Sequence, residues 1–546
     1  MRDLRRPALL AGALALYALA VLLRLRDPLS FHVIGAEDPF SHMVITKELV
    51  ARGYHAGPET LDGPLYPPGI HALTAVLWTS SGLPLYDLAR VLPPFLGALG
   101  VLGIAALLHR EAGPWAALAG GLVAAAMPEH IFRTNLLFPT TLDLALIPVY
   151  LWALARLVDG ETPAAWLLGI AGAAIAGAHP WALMLLGPIG LLYVGLRVAF
   201  PRDGHRSWSG AGLAAALGGG MALATYLWWR DASFIGLGGF SKHARDVLPL
   251  TSAKLGIPQA ALVGLLAAAV LLLVAAAVLR PRLPRSLRVG GGLAVGLALA
   301  GGVLWAWLQL RHDLPTYVDY GKMLTGAGAL LALAGLALAP LLRSRAGDLG
   351  VAVCVVTFPF TAIDFFQSIY WSHRTVAYLS LGVALLAGVA VGAAVEALAR
   401  ARLPFARPVA GAAALVALLV LTVPAATAMQ PWYRYETREE FAVIEAARDA
   451  QLEDPRAVVI AGDWRPNLFL RAIGDEQRVV WAPDEMKDPA ALRALGERLE
   501  AEGKRPYVLV DRHTREALGL AYRAPPGEPV ASCCGGAVIL TRLAPS

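Results

Sequence analysis

Charge is what this sequence has least of. Of 546 residues, 16% are Asp, Glu, Lys or Arg and 57% are hydrophobic, whereas a soluble chain carries about 25% charged residues. That shortfall excludes an ordinary soluble domain and implies a polytopic membrane protein with a polar appendage. Cysteine is scarce as well. Cys354 lies in an apolar run, and Cys533 and Cys534 are adjacent near the C-terminus. Neither pattern is a disulfide framework or a metal site, and the adjacent pair is expected as two thiols. No internal repeat is present, and nothing is low-complexity beyond the Ala/Gly/Leu membrane spans. The formal net charge of +6 does not point to nucleic acid, because most Arg sits in short clusters between apolar runs, where positive charge sets topology.

A helix of about 20 apolar residues crosses roughly 30 Å of hydrocarbon. Thirteen spans are expected, at 8–25, 91–108, 115–128, 137–156, 163–178, 181–198, 211–229, 258–279, 290–309, 323–342, 349–367, 374–397 and 409–427. The first follows Met1-Arg2-Asp3-Leu4-Arg5-Arg6 and runs on without a small-residue cleavage site, so it reads as an uncleaved anchor. Counted from a cytoplasmic N-terminus, Arg110, Arg202, Arg206, Arg280, Arg282, Arg285, Arg288, Arg343, Arg345, Arg400, Arg402 and Arg407 all fall on the inner side. The loop 157–162, with Asp159 and Glu161, breaks the pattern.

The outer face then receives the loop 27–90, the turns near 129–136 and 179–181, the loop 230–257, the segments 310–322 and 368–373, and everything after about 428. Within the first loop, Tyr66-Pro67-Pro68-Gly69-Ile70-His71 breaks the chain and opens an apolar stretch, 70–79, too short to span, which reads as interfacial or re-entrant. From Thr437 apolar and charged residues alternate at helical spacing through Glu439-to-Ala450, and β-rich runs follow at 457–461, 478–481 and 507–510. The expected fold is a polytopic α-helical membrane domain, 1–430, followed by an extracytoplasmic α/β domain, 431–546, large enough for its own core.

Polar chemistry gathers on that outer face. Gly35-Ala36-Glu37-Asp38-Pro39-Phe40-Ser41-His42 places two carboxylates and a His beside the first span, where acids serve as a base or hold a divalent cation. Pro128-Glu129-His130-Ile131-Phe132-Arg133 offers an oxygen and a nitrogen ligand, a mixture suited to Mn²⁺ or Zn²⁺, with Arg133 on the face of His130 as a phosphate partner. His179-Pro180-Trp181 forms a short outer turn, its His a structural hydrogen-bonder or a direct participant. Lys242, His243 and Arg245 sit in the 230–257 loop, on the side the positive-inside tendency disfavours, either solvated or binding an anionic lipid-linked phosphate. Arg374 enters the twelfth span and either snorkels, binds an anion, or pairs with Asp364. Apart from Asp143 and Asp364, toward the outer ends of their spans, the spans read as nearly free of charge. A proton-coupled transporter needs ionisable groups near the midplane, so the pattern favours an enzyme acting from outside on a lipid-anchored substrate.

Across residues 1–430 the sequence resembles the GT-C glycosyltransferases. The resemblance rests on Glu37-Asp38-Pro39-Phe40 after the first span, Tyr66-Pro67-Pro68-Gly69 in the same loop, and Glu129-His130-Ile131-Phe132-Arg133. Thirteen spans and an outer C-terminal domain are most similar to the catalytic subunit of oligosaccharyltransferases. The resemblance implies a polyprenyl-phosphate- or diphosphate-linked sugar donor, a protein, lipid or glycan acceptor, and a divalent metal (Mn or Mg, with Zn as an alternative). It makes Asp38 the catalytic, metal-associated acid, with Glu37 beside it, and Glu129 the acid of the second outer loop. His130 would add a metal ligand, and His42, Arg133, His179, Lys242, His243, Arg245 and Arg374 would line the substrate. Two motifs depart from that pattern: Glu129-His130 stands where an Asp-x-Asp or Glu-x-Asp pair is expected, and Gly462-Asp463-Trp464-Arg465 where a Trp-Trp-Asp-Tyr-Gly-like acceptor motif is expected. The alternatives to an enzyme are a lipid or polysaccharide transporter or flippase, and a non-catalytic scaffold that binds lipid-linked sugar.

Overall fold

The computed structural model describes residues 2–30, 38–53, 67–199, 212–213, 218–229, 249, 252–253, 256–261, 263–264, 284–310, 323–342, 344–362, 369–400, 406–428, 437–520 and 524–543. Its membrane part is a helical bundle. The first helix, α1, is Arg2–Ser30; the loop after it folds into α2 (Asp38–Arg52) and α3 (Gly69–Ser81). There follow α4 (Leu85–Ala112), α5 (Pro114–Ala126), the short α6 (Pro128–Phe132), α7 (Pro139–Val158), α8 (Ala164–Ala176) and α9 (Pro180–Ala199). The remaining bundle helices are α10 (Gly220–Trp229), α11 (Arg285–Leu310), α12 (Gly326–Leu342), α13 (Arg345–Ala362), α14 (Ile369–Ala399) and α15 (Ala406–Ala428).

Among the described residues five helices are long and apolar enough to cross a membrane, within α1, α4, α7, α14 and α15, and shorter apolar helices lie beside them. Most of the expected spans overlap a helix; 211–229 and 349–367 are described in part, and 258–279 lies mostly outside the described residues. The expected short helix at 70–79 is α3.

The bundle packs around α14, which lies against α4, α5, α12, α13 and α15. Small residues allow this, because helices in lipid associate by close packing rather than by escape from water. A Cβ on Gly335 of α12 would sit 2.1 Å from the Leu386 carbonyl oxygen of α14, and one on Gly100 of α4 would sit 2.4 Å from the Leu144 carbonyl oxygen of α7.

One end of the bundle is tied by ion pairs. Arg345 reaches Glu111 at 2.9 Å and also Asp159; Arg197 reaches Asp159 at 3.0 Å and Asp348 at 3.5 Å; Arg110 reaches Glu161 at 3.0 Å, and Arg156 pairs with the same carboxylate. This accounts for the acidic loop that breaks the positive-inside pattern. Asp159 and Glu161 are the counter-charges that let arginines from α4, α7, α9 and α13 share one half-buried network.

The C-terminal unit begins with α16 (Arg438–Glu453), entered through a capping box in which Thr437 and Glu440 satisfy each other's backbone N–H. Then come β1 (Ala457–Ala461), α17 (Trp464–Ile473), β2 (Val479–Trp481), α18 (Pro489–Ala501), β3 (Arg505–Val510), α19 (Arg512–Leu518), β4 (Glu528–Cys533) and β5 (Val538–Arg542). The strand order is β2-β1-β3-β5-β4. β1 runs parallel to both neighbours, with Val459 opposite Val479 and Tyr507. All five of its residues are buried, as a central parallel strand covered on both faces requires. β4 and β5 add an antiparallel hairpin that the sequence reading did not place; Gly535-Gly536 ahead of Val538-Ile539-Leu540 was the available turn signal.

This unit is seated on the helices of the first loop. Phe40 of α2 lies 4.3 Å, ring to ring, from Phe469 of α17 and 6.2 Å from Phe441 of α16, and Tyr86 of α4 stacks on Phe441 at 6.2 Å. Lys47 of α2 donates to the carbonyls of Arg471 and Gly474, both at 2.9 Å. Those carbonyls close α17, where the helix dipole favours a cation.

Candidate active site

Opposite the arginine-rich end, α2, α3, α6 and the start of α7 share one apolar core that includes Phe40, Met43, Ile70, Phe132, Leu137 and Phe138. Asp38 and Glu129 therefore belong to segments packed on the same side of the bundle. Asp38 is the first residue of α2 and is half-buried. Its neighbour Glu37 lies outside the described residues, as do Lys242, His243, Arg245 and Asp364. Arg374 is placed only as a backbone position in the first turns of α14.

One helical turn beyond Asp38, His42 meets His71 of α3, Nδ1 to Nε2, at 3.0 Å, with both rings buried. His71 Nδ1 lies 3.0 Å from the Pro67 carbonyl oxygen, which can only accept, so Nδ1 carries the His71 proton. His71 Nε2 is then the acceptor and His42 Nδ1 the donor. Burial, with His42 alongside, pushes the His71 pKa down to about 3 against the opposing Pro67 hydrogen bond. His42, expected to line the substrate, donates through Nδ1 to His71, and the pair joins α2 to α3. The same helix is pinned at its start, where the Gly69 N–H donates to the Gly177 carbonyl at 2.6 Å, two residues before the buried His179. A Cβ on Gly69 would meet that oxygen at 2.6 Å, so only glycine fits there.

The second outer turn is buried throughout. Glu129 and Arg133, one turn apart on α6 and its C-cap, pair at 2.9 Å with 1% and 7% of their side chains exposed. The Arg133 guanidinium lies over Phe132 and Phe138, 5.0 and 5.6 Å from the ring centres. His130 turns the other way, to a residue the sequence reading passed over. Arg24 of α1 is fully buried and donates from Nε to Thr134 Oγ1 at 2.8 Å, to the Ala20 and Ala125 carbonyls at 2.9 and 3.3 Å, and to His130 Nδ1 at 2.7 Å. The expectation of spans nearly free of charge is corrected here: the first span carries a buried guanidinium that joins α1, α5 and α6. Deeper in the bundle, the Tyr378 hydroxyl of α14 donates to Asp143 of α7 at 2.7 Å.

The Arg24 contact fixes the chemistry of His130. A guanidinium cannot accept a hydrogen bond, so Nδ1 must be the acceptor and the imidazole proton sits on Nε2. Burial, reinforced by the Arg24 charge, holds the His130 pKa well below its ordinary value. A protonated Nε2 has no lone pair for a metal. Glu129 is already matched by Arg133, and among the described residues no three His, Cys, Asp or Glu side chains are grouped to hold a metal ion. As placed, His130 does not fit the metal-ligand role expected of it.

Residues 48–246 match a family of unknown function (DUF6541), and no curated protein matches the chain. Among solved structures, the oligosaccharyltransferase AglB from Archaeoglobus fulgidus, in complex with an inhibitory peptide and a dolichol-phosphate, aligns with TM-score 0.59. The identity is 12% over 94% of this chain and 70% of that one. The chain has the GT-C fold. An Archaeoglobus fulgidus oligosaccharyltransferase in complex with Zn and sulfate aligns with TM-score 0.58 at 14% identity, over 95% of this chain and 72% of the other. ArnT from Cupriavidus metallidurans in the apo state aligns over the full length of both chains at 16% identity, with a TM-score of 0.43 that is too low to build on. At these identities the likeness establishes the fold alone and leaves the chemistry to the residues.

Proposed function

We propose that the protein is a multi-pass membrane glycosyltransferase that transfers a sugar from a polyprenyl-phosphate- or diphosphate-linked donor to an acceptor on the outer face of the membrane. The observation that carries this reading is the placement of Asp38 within a GT-C fold. It opens α2, a helix clamped between the His71 pair on one side and the C-terminal unit on the other. A carboxylate fixed this way is suited to act as general base, taking the proton from an acceptor hydroxyl or amide as that group attacks the anomeric carbon and the lipid phosphate leaves. A single displacement of this kind inverts the anomeric centre.

The donor class is proposed by analogy with the dolichol-phosphate bound to the archaeal oligosaccharyltransferase, and a peptide acceptor by analogy with the acceptor peptide tethered to an Archaeoglobus fulgidus oligosaccharyltransferase. Arg133, Lys242, Arg245 and Arg374 are the cations proposed to steady the departing phosphate. Arg133 must exchange Glu129 for phosphate to do so, since the two are paired here. Arg24 acts one step back, as a positioning residue: it holds the α6 turn against α1, and so sets where Glu129 and Arg133 lie. The arginine-bearing short loops support a cytoplasmic placement for the opposite end, which puts this site and the C-terminal unit outside.

Against a transporter, buried charged groups of the described spans, Arg24, Asp143 and Arg197, each engage protein partners. The direct test is mass spectrometry of lipids that copurify with the protein, followed by a transfer assay with the lipid found. Asp38→Asn is expected to abolish turnover while leaving insertion and folding intact. Turnover near that of the parent protein would remove Asp38 from the mechanism.

A further inference from the structure

The proposed chemistry leaves one reactive pair unused. Cys533 ends β4 and Cys534 opens the turn to β5, with their Sγ atoms 2.7 Å apart and no disulfide between them. Cys534 is exposed and Cys533 half-buried. The third cysteine, Cys354, is buried in the helical bundle, where its thiol is out of reach.

The turn is built to bring the two thiols together. Cys534 holds φ +57°, the left-handed region that residues with a Cβ rarely occupy, and Gly535 and Gly536 continue it at +67° and +86°. The Ala537 N–H closes the turn on the Cys534 carbonyl at 3.3 Å. Arg515 of α19 braces it from outside, donating to the Gly536 carbonyl at 3.0 Å and to that of Ala537 at 3.3 Å. A side chain in this backbone conformation is strained, and glycine would remove that strain. Here the position carries a thiol against a second thiol.

We propose that Cys533 and Cys534 form a redox-modifiable dithiol, oxidised to a vicinal disulfide by exchange with an external disulfide. The exposed Cys534 loses its proton and attacks one sulfur of the oxidant, forming a mixed disulfide and releasing the first thiolate. Cys533, deprotonated in turn and already in contact, attacks the Cys534 sulfur and releases the second. Two protons and two electrons leave the protein, and the oxidant disulfide is reduced to two thiols. The contact between the sulfurs makes the second step intramolecular, so the mixed disulfide does not accumulate. This inference is independent of the glycosyltransferase reading.

The experiment uses the full-length protein in detergent, carrying Cys354→Ala so that the pair supplies the only thiols. It is treated with glutathione disulfide, alkylated, digested and weighed. The expected result is a 533–534 peptide lighter by two hydrogens, closed to alkylation, free of glutathione, and restored by dithiothreitol. In Cys533→Ser the expected product is a stable glutathione adduct on Cys534, because the resolving thiol is gone. Phenylarsine oxide, which bridges paired thiols, should bind the parent protein and be lost from Cys533→Ser and Cys534→Ser alike. A persistent glutathione adduct in the parent protein, a covalent dimer through these residues, failure of the pair to oxidise, or arsenical binding that survives either substitution overturns the proposal.

Discussion

Replacing Arg24 by Met tests the buried cluster directly. The substitution keeps an unbranched apolar stem of similar length and removes the guanidinium. Of the four hydrogen bonds lost, the one to Ala20 falls on a carbonyl one turn back in the same helix, whose intrahelical bond remains. The other three acceptors lose this donor while still buried: Thr134 Oγ1, His130 Nδ1, and the Ala125 carbonyl in the last turn of α5. Buried acceptors left unpaired cost about 1–3 kcal/mol each, while interhelical hydrogen bonds in membrane proteins average about 0.6 kcal/mol in double-mutant cycles. Three such losses come to about 2 kcal/mol at the membrane average and to about 3–9 kcal/mol at the full cost of unpaired acceptors, offset in part because a charge no longer has to be buried. The expected outcome is a net destabilisation of about 2 kcal/mol in reversible SDS unfolding from mixed micelles. Transfer activity should fall with it, because the turn carrying Glu129 and Arg133 loses its anchor to α1. Arg24→Lys, able to make some of these bonds, should fall between. If Arg24→Met is as stable as the parent protein and turns over at the same rate, the cluster neither holds α6 nor positions the site.

Three further outcomes are expected. His71 titrates at about 3 in the folded protein and near 6.5 unfolded, so below about pH 6.5 the unfolded chain binds the extra proton. Stability should be full above that pH and fall by up to about 1.4 kcal/mol per unit toward pH 3. His71→Gln should flatten that part of a melting-temperature profile, and an unchanged slope would show that the His42–His71 pair does not sense acid. Lys47→Met removes two charge-assisted hydrogen bonds to the end of α17, at about 1.5–3 kcal/mol each before solvent competes. The C-terminal unit should become cleavable at lower protease concentration while its own fold persists, and unchanged cleavage would mean that the aromatic contact of Phe40 alone seats it. Gly335→Val drives a side chain into the Leu386 backbone at the α12–α14 crossing and should cost at least about 1–3 kcal/mol, read in the same SDS titration; a neutral result would mean that these helices do not approach as closely as described.

Much of the helical architecture was legible in the sequence, because an apolar run of bilayer length has few structural options: its backbone must satisfy itself as a helix. The same reasoning found α3, whose run is too short to cross, and the β1–β3 core of the C-terminal unit, whose strands read as continuous apolar segments. It missed β4 and β5, where Glu528 and Pro529 obscure the strand pattern and Cys533-Cys534-Gly535-Gly536 forms the turn.

At the site, composition and spacing singled out Asp38, Glu129, His130 and Arg133, since acids, His and Arg beside hydrocarbon are too costly to be idle. Their partners were not legible. Arg24 lies 106 positions from His130, 29 positions separate His42 from His71, and 424 separate Lys47 from Arg471. Local sequence fixes which groups are present and which helices carry them, because backbone hydrogen bonding and hydrophobic length act over a few residues. Which groups meet depends on how helices distant in the chain cross, and that packing turned His130 from an expected ligand into a hydrogen-bond acceptor and gave the buried Arg24 its partners.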